Sequence, residues 1–138
     1  MIDCIFCKIV DGEIPCFKLY EDEHCLAFLD IHPSTKGHSL VIPKKHFDNW
    51  LETPEEILAE ISRVSKIVAT AALKGLGADG FNIGVNTGAA AGQIIMHTHL
   101  HVMPRYEKDG LKLWPSLETK TEELQKVANA LAKFIATP

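Results

Sequence analysis

The sequence contains no run of lysine or arginine and no apolar segment long enough to cross a membrane. It has 14 basic and 18 acidic residues, which gives a formal net charge of -4. Without a basic patch, the chain has no electrostatic footprint for a nucleic-acid backbone or an anionic membrane. We therefore expect neither nucleic acid nor a membrane as a partner, and any anionic ligand should be small and bound locally.

The amino-terminal segment also lacks the features of a secretory signal. It reads MIDCIFCKIVDGE, without a basic start or a long apolar stretch. The four cysteines could form two disulfides, but disulfides belong mainly to oxidising compartments and to small domains that need them. The sequence therefore predicts a cytoplasmic protein whose cysteines are reduced: Cys4, Cys7, Cys16 and Cys25.

The length and composition indicate one globular domain. The 138 residues are 46% hydrophobic and 23% charged, without repeats or low-complexity segments. We expect a single domain over residues 1–138, with a helical carboxy-terminal segment at about 119–136.

Hydrophobic periodicity predicts the order of elements. CFKLYEDEHCLAFLDI predicts two strands around an acidic turn, and HSLVIP a third that ends at Pro43. Thr53, Pro54 and Glu56 form a capping-box pattern for a long helix, with a stop at 75–77. GFNIGVN predicts a strand with one buried face, paired antiparallel with a following histidine-rich strand. A last helix at about 121–135 completes an α+β fold, an antiparallel sheet flanked by helices.

Three histidines occupy alternate positions in GQIIMHTHLHVMPR: His97, His99 and His101. In a strand, alternate side chains share a face at a spacing of about 6.6 Å. His97 and His101 would lie about 13 Å apart, so one metal bound by all three would be strained. Because buried imidazoles need polar partners, three in register indicate a functional site rather than simple packing.

A row of imidazoles suits attack on phosphorus. A neutral imidazole is a nucleophile at physiological pH, and a neighbouring ring can donate to an anionic oxygen or a leaving group. Asn82 and Asn86 lie on the preceding predicted strand. Gln93 lies in a loop whose glycines permit close approach of a ligand.

Together these motifs resemble the histidine triad (HIT) family of nucleotide hydrolases and transferases. The resemblance rests on HTHLHV at 97–102, AGQ at 91–93, GHSLVIPKKH at 37–46, and the stretches CIFCKIVDGEIP and CLAFLDI. It covers most of residues 4–105, with several motifs in the same order. It implies a five-stranded sheet with two helices, a homodimer and a site for a nucleoside phosphate.

The resemblance also implies roles for three histidines. His99 would attack the α-phosphorus and carry a covalent nucleotidyl intermediate, which water then hydrolyses. His101 would contact the phosphate. His38 would lie behind the nucleophile and help to orient it.

Further binding residues follow from the same resemblance. Asp30 would bind the ribose, while Asn86 and Gln93 would lie near the phosphates. Many relatives have serine or threonine after the AGQ segment, where this chain has Ile94. The contribution of a hydroxyl to the phosphate or leaving group is therefore missing here.

The pair Cys4 and Cys7 has the spacing of a zinc chelate, but a structural zinc needs four ligands. His46 and His97 are the candidates for the other two, and the resemblance to zinc-containing bacterial members supports this set. Such a zinc would be structural and not required for the chemical step. A redox pair and two inert thiols are the alternatives.

The sequence therefore predicts an enzyme that cleaves a nucleoside monophosphate, above all adenosine monophosphate, from a phosphoramidate. Hydrolysis of dinucleoside polyphosphates by the same mechanism is an alternative. A nucleotide-binding scaffold with little turnover is another, and metal-dependent hydrolysis with ligands from the triad is a third.

Overall fold

The computed structural model describes residues 3–138. Five strands form one antiparallel sheet in the order β1-β2-β3-β5-β4: β1 (Lys18–Glu21), β2 (Cys25–Leu29), β3 (Ser39–Pro43), β4 (Gly80–Gly84) and β5 (Leu100–Arg105). Three α-helices accompany it: α1 (Ile5–Val10), α2 (Glu55–Leu76) and α3 (Thr121–Ala132). The predicted α+β class is confirmed, as are the five-stranded sheet, the long central helix and the carboxy-terminal helix.

The two faces of the sheet bury different groups of residues. Helix α2 packs on one face, where Ile61, Val64 and Val68 meet apolar residues of β3 and β5. On the other face, Phe6 of α1 packs against apolar side chains of β2 and β3. Because both faces of β2 and β3 are covered, these strands are continuous apolar runs in the sequence.

The capping box expected at the start of α2 is wrong. The Thr53 hydroxyl donates to the carbonyl of Asn49 and lies 2.7 Å from the Thr98 hydroxyl. Among residues 3–138, no side chain caps this helix, which begins at Glu55. Its end is as expected, because Gly77 follows in the left-handed conformation with φ of 67°.

The strand expected to carry all three histidines starts later than predicted. Strand β5 begins at Leu100, so it contains only His101, and it continues to Arg105. His97 and His99 precede it in an irregular segment. The Thr98 amide there donates to the Phe47 carbonyl at 2.8 Å, so this segment bonds to the loop after β3.

Two further predictions need correction. Strand β4 ends at Gly84, and its expected buried face is exposed, with Phe81 at 42% and Ile83 at 46% exposure. Helix α3 ends at Ala132, and its apolar stripe is also exposed. The short helix α1 was not expected from the sequence. Within residues 3–138, no helix combines the length and apolarity needed to cross a membrane.

Candidate active site and metal centre

Three strands bring the predicted catalytic side chains together at one end of the sheet. Asp30 directly follows β2 and His38 directly precedes β3, and the Asp30 amide donates to the His38 carbonyl at 2.9 Å. His101 lies in β5, opposite Leu40 of β3. The His101 ring centroid lies 5.0 Å from that of His99, which is just ahead of the strand. The pairing of β2, β3 and β5 thus positions the whole group.

The tautomer of His99 is fixed by its own chain segment. Its Nδ1 lies 2.7 Å from the carbonyl oxygen of His97, which can only accept a hydrogen bond. Nδ1 therefore carries the proton, and Nε2 keeps its lone pair. Burial lowers the pKa of His99, which favours the neutral ring. The side chain thus has the protonation state of a nucleophile.

A second chain of hydrogen bonds fixes His38 and His101. The Ser34 amide donates to His38 Nδ1 at 3.1 Å, so His38 Nε2 carries the proton. His38 Nε2 lies 2.9 Å from His101 Nδ1 and donates to it. His101 therefore carries its own proton on Nε2. His38 was expected to lie behind His99 and orient it, but in the structure its hydrogen bond is to His101.

Burial keeps these two rings neutral. It lowers the pKa of His101 to about 4, and the neighbouring His99 and His38 add to the shift. Burial also lowers the pKa of His38, although Asp30 Oδ2, 3.7 Å from its Nε2, acts in the opposite direction. At neutral pH, His101 is a neutral hydrogen-bond donor beside the lone pair of His99.

Asp30, His38 and His101 are close enough for their ligand atoms to share a cation, since these lie within 4.8 Å of one another. These three side chains are nevertheless a poor set of ligands for a cation. His38 accepts a hydrogen bond at Nδ1 and needs its Nε2 proton to remain a neutral ring. The geometry favours a proton-bearing chain over a metal site at this position.

The second cluster has the geometry of a zinc centre. His97 Nδ1 lies 3.3 Å from Cys4 Sγ and 3.6 Å from Cys7 Sγ, and His46 Nδ1 lies 3.3 Å from Cys7 Sγ. In a tetrahedral zinc site with bonds of about 2.3 Å to sulfur and 2.0 Å to nitrogen, S and N are about 3.5 Å apart. The four predicted ligand atoms all lie within 4.8 Å of one another.

The surroundings of this cluster suit metal binding as well. His97 Nε2 donates to the Pro43 carbonyl at 2.8 Å, and His46 Nε2 lies 2.7 Å from Asp48 Oδ1. These acceptors fix the proton on Nε2 and leave both Nδ1 lone pairs for a metal. Burial and Cys4 raise the pKa of the Cys7 thiol to about 11, so a bound cation would be needed to keep it as a thiolate. The donor set therefore fits zinc.

The side chains of Gln93 and Asn86 differ in whether their polar groups are available to bind a ligand. Gln93 is buried; its Oε1 accepts from the Gly88 amide at 3.0 Å, and its Nε2 donates to the carbonyls of Asp48 and Ile95. Its side chain thus holds the glycine loop in place. The half-buried Asn86 makes no side-chain hydrogen bond to residues 3–138 and lies against Gly92.

Sequence reasoning missed three residues that organise the site. The Ser34 amide sets the tautomer of His38, and Thr98 bonds the histidine segment to Phe47 and Thr53. Phe6 packs its ring against both His97 and His99. Phe6 could have been noticed from its place between the two cysteines, but a backbone amide leaves no signal in a sequence.

A model of the HIT domain matches residues 11–108, and the chain belongs to the HIT domain family. It is 47% identical over 133 residues to a protein of Arabidopsis thaliana named adenylylsulfatase HINT3, covering 96% of this chain and 68% of that protein. It is 41% identical over 136 residues to adenosine 5'-monophosphoramidase hnt1 of Schizosaccharomyces pombe, covering 97% of this chain and 99% of the relative.

Solved structures share the fold over almost the whole chain. The crystal structure of a HIT family member from Bacillus subtilis superposes with a TM-score of 0.89 at 42% identity, covering 99% of this chain and 100% of the other. A zinc-bound histidine triad family protein from Mycobacterium smegmatis superposes with a TM-score of 0.77 at 44% identity, covering 96% and 95%.

Proposed function

We propose that this protein is a nucleotide hydrolase that releases a nucleoside monophosphate, above all adenosine monophosphate, from a phosphoramidate. The observation that carries the proposal is the state of two neighbouring rings. His99 has its proton on Nδ1 and a free lone pair on Nε2, while His101 has a proton on Nε2. The names of two relatives, an adenylylsulfatase and an adenosine monophosphoramidase, support the same class of substrate.

In the first step, His99 Nε2 attacks the α-phosphorus. A bond forms between nitrogen and phosphorus, the bond from phosphorus to the leaving amine breaks, and the amine takes a proton from solvent. The phosphorylated ring is cationic, and the His97 carbonyl on its Nδ1 proton stabilises it. The His101 Nε2 proton is available to a non-bridging phosphate oxygen, which gains charge as the new bond forms.

In the second step, water attacks phosphorus from the opposite side, and the bond to His99 breaks. The product leaves as the nucleoside monophosphate, the water proton passes to solvent, and His99 regains its lone pair. His99 keeps its proton on Nδ1, donated to the His97 carbonyl, through both steps, so the ring returns to its starting tautomer.

Substrate contacts follow from which polar atoms are free. Asp30 uses Oδ1 to accept from the His32 amide at 2.8 Å, which leaves Oδ2 for the ribose hydroxyls. We assign phosphate binding to Asn86, whose side-chain amide makes no hydrogen bond to residues 3–138. Gln93 would act indirectly, by holding the backbone of the loop at 88–93.

The metal centre has a separate role in this proposal. Cys4, Cys7, His46 and His97 would hold a structural zinc, which cross-links α1 to the segment ahead of β5 and takes no part in bond breaking. The spacing of the donors and the zinc-bound relative support this assignment. All four cysteines are free thiols, as a thiolate ligand requires and as a reducing cytoplasm would maintain.

We also infer a homodimer, built by pairing β4 of two copies. Strand β4 is an outer strand of the sheet, and Ile83 lies opposite Val102, on the face that α2 covers. An exposed apolar outer strand invites pairing with another strand. A second β4 related by a twofold axis would continue the sheet and cover Phe81 and Ile83.

One observation keeps a second function open. Ile94 is 89% exposed and offers no hydroxyl to the phosphate or the leaving group. A nucleotide-binding scaffold with little turnover, or a preference for dinucleoside polyphosphates, would follow from this. Calorimetry with adenosine monophosphate, beside turnover assays on a phosphoramidate and a dinucleoside polyphosphate, separates the three candidate functions. Faster turnover of one substrate identifies the corresponding hydrolase, and binding without turnover identifies the scaffold.

The decisive test of the mechanism replaces the nucleophile. We expect His99→Ala to lose at least about 1,000-fold in kcat with adenosine phosphoramidate, since the intermediate cannot form. Mass spectrometry of the quenched wild type should show one added nucleotidyl group, absent from the variant. His24→Ala, which removes an exposed histidine, is the matched control. Wild-type rates in His99→Ala, together with no adduct in the wild type, would refute the mechanism.

A further inference from the structure

Phe6 lies between the two parts of the site. It is on α1, flanked by Cys4 and Cys7, and is 4% exposed. Its ring meets His97 edge to face, with centroids 5.8 Å apart and planes at 80°. It meets His99 in the same way, at 5.2 Å and 78°. One ring thus contacts both a metal-cluster histidine and the proposed nucleophile.

One hydrogen bond and two neighbouring rings bear on the orientation of the His99 ring. Its hydrogen bond to the His97 carbonyl fixes one edge, but rotation about the side-chain bonds could still break that bond. The Phe6 and His101 rings pack against it from two directions. His101 is itself held by His38, and Phe6 is the apolar ring that packs on the imidazole.

The position of Phe6 is itself well determined. Cys4 caps α1 by accepting from the Cys7 amide at 3.3 Å, and Cys7 lies 3.3 Å from His46. Phe6 also packs edge to face on Phe28 of β2, at 5.7 Å. A ring held on both sides in this way can act as a fixed wall for the neighbouring imidazole.

We propose that Phe6 is a positioning residue for the reaction: its ring keeps the His99 imidazole in the plane in which Nδ1 bonds to His97 and Nε2 points to the phosphorus. This inference rests on the proposed function, in which His99 is the nucleophile. Misplacing a reacting atom by about 1 Å can cost about 100-fold in rate. The role therefore concerns kcat rather than substrate affinity.

The test compares two variants that each remove three side-chain heavy atoms from the same apolar cluster. Phe6→Leu removes the aromatic wall, whereas Leu26→Ala opens a gap of similar size on β2 without removing a ring; both residues belong to the cluster beneath α1. For Phe6→Leu we expect kcat to fall about tenfold or more, with KM and zinc content within about twofold of wild type. For Leu26→Ala we expect lower thermal stability with kcat close to wild type.

A readout independent of turnover is the ¹⁵N spectrum of the His99 ring at pH 7.5. The wild type should show one tautomer, with the proton on Nδ1, and Phe6→Leu should show both tautomers in exchange. Phe6→Tyr, which keeps the ring, should restore the single tautomer and most of kcat. If Phe6→Leu does not fold, Phe6→Met, which also lacks the ring, takes its place and should show the same mixture of tautomers.

Several results would overturn the inference. A single His99 tautomer and normal kcat in Phe6→Leu would do so, and so would an equal loss of kcat in Leu26→Ala. If Phe6→Tyr lost the single tautomer while its fold and zinc content were retained, the ring would not be the positioning element. Failure of the proposed function is distinguishable, because it removes the nucleotidyl adduct of the wild type without changing the ring spectrum.

Discussion

Four histidines of the two clusters have one ring nitrogen engaged by a neighbour whose hydrogen-bonding role is fixed. Carbonyl oxygens accept from His97 and His99, a backbone amide donates to His38, and the Asp48 carboxylate lies against His46. These partners determine which nitrogen is free. In the proposed function, the same residue type would therefore offer Nδ1 to a metal at two positions and Nε2 to a phosphorus at another.

The state of His101 makes a prediction about stability and pH. Its pKa falls to about 4 in the folded protein, while an unfolded histidine titrates near its ordinary value of about 6.5. Between these values the unfolded chain binds a proton that the folded chain does not, so stability must fall as pH decreases from about 6.5 to 4. The charged and titratable neighbours of His101 are Asp30, His38 and His99, and only Asp30 opposes the shift.

The measurement is urea unfolding of the wild type and of His101→Gln at pH 7.5, 6 and 5. Between pH 7.5 and pH 5 we expect the free energy of unfolding to fall by about 2 kcal/mol more for the wild type than for the variant. Protonation of the metal ligands affects both proteins equally, so the difference between the two curves isolates His101. Parallel curves would show that the His101 pKa is not lowered by folding.

Among the secondary-structure elements, α1 depends most on groups outside itself. Six residues are too few for a stable helix in water, so its contacts must hold it. Phe6 packs beneath it, and the two cysteines lie at its start with the histidines opposite. Helix α1 is therefore best understood as part of the proposed metal centre.

This dependence predicts the effect of Cys4→Ser. Loss of one ligand should lower bound zinc well below one ion per chain. It should also remove the stabilisation that binding supplies, about 3 kcal/mol when free zinc is 100 times the dissociation constant. Metal analysis and urea unfolding measure the two effects, with Cys16→Ser as the control, since Cys16 lies outside the cluster. Equal zinc content in the two variants would contradict the ligand assignment.

The sequence predicts the regular elements better than the irregular segments. Helix α2 and strands β2 and β3 have the periodicity or apolar runs of their structures, because packing on the sheet determines their residues. The start of β5 was not predictable, since it depends on hydrogen bonds from Thr98 to a distant loop. The contact of His38 with His101 depends in the same way on how β3 pairs with β5.

The residues of the candidate site were easier to predict from the sequence than the hydrogen bonds between them. The number of ligands that zinc requires, set against two cysteines and supported by the family resemblance, predicts a role for His97 that differs from those of His99 and His101. No such rule identifies the carbonyl that fixes His99 or the amide that fixes His38. Backbone groups are common to every residue, so only a structure can assign them.

At the scale of the whole molecule, the sheet has two unlike outer strands. Strand β1 is short and has charged residues at both ends, Lys18 and Glu21, which discourages pairing with another chain. Strand β4 has Phe81 and Ile83 exposed on the face that α2 covers elsewhere. The asymmetry favours β4, rather than β1, as the edge through which the proposed homodimer would form.

A charge introduced on β4 tests this arrangement. In a dimer built through β4, Ile83→Lys would bury a lysine against its symmetry-related copy, which costs several kcal/mol and should separate the subunits. Light scattering should give twice the chain mass of 15.3 kDa for the wild type and a single chain mass for the variant. Phe17→Lys is the matched control, because Phe17 is 66% exposed beside β1, at the opposite edge of the sheet, and should leave the dimer intact. Dissociation by Phe17→Lys alone would move the interface to the β1 edge, and a wild type of single-chain mass would refute the dimer altogether.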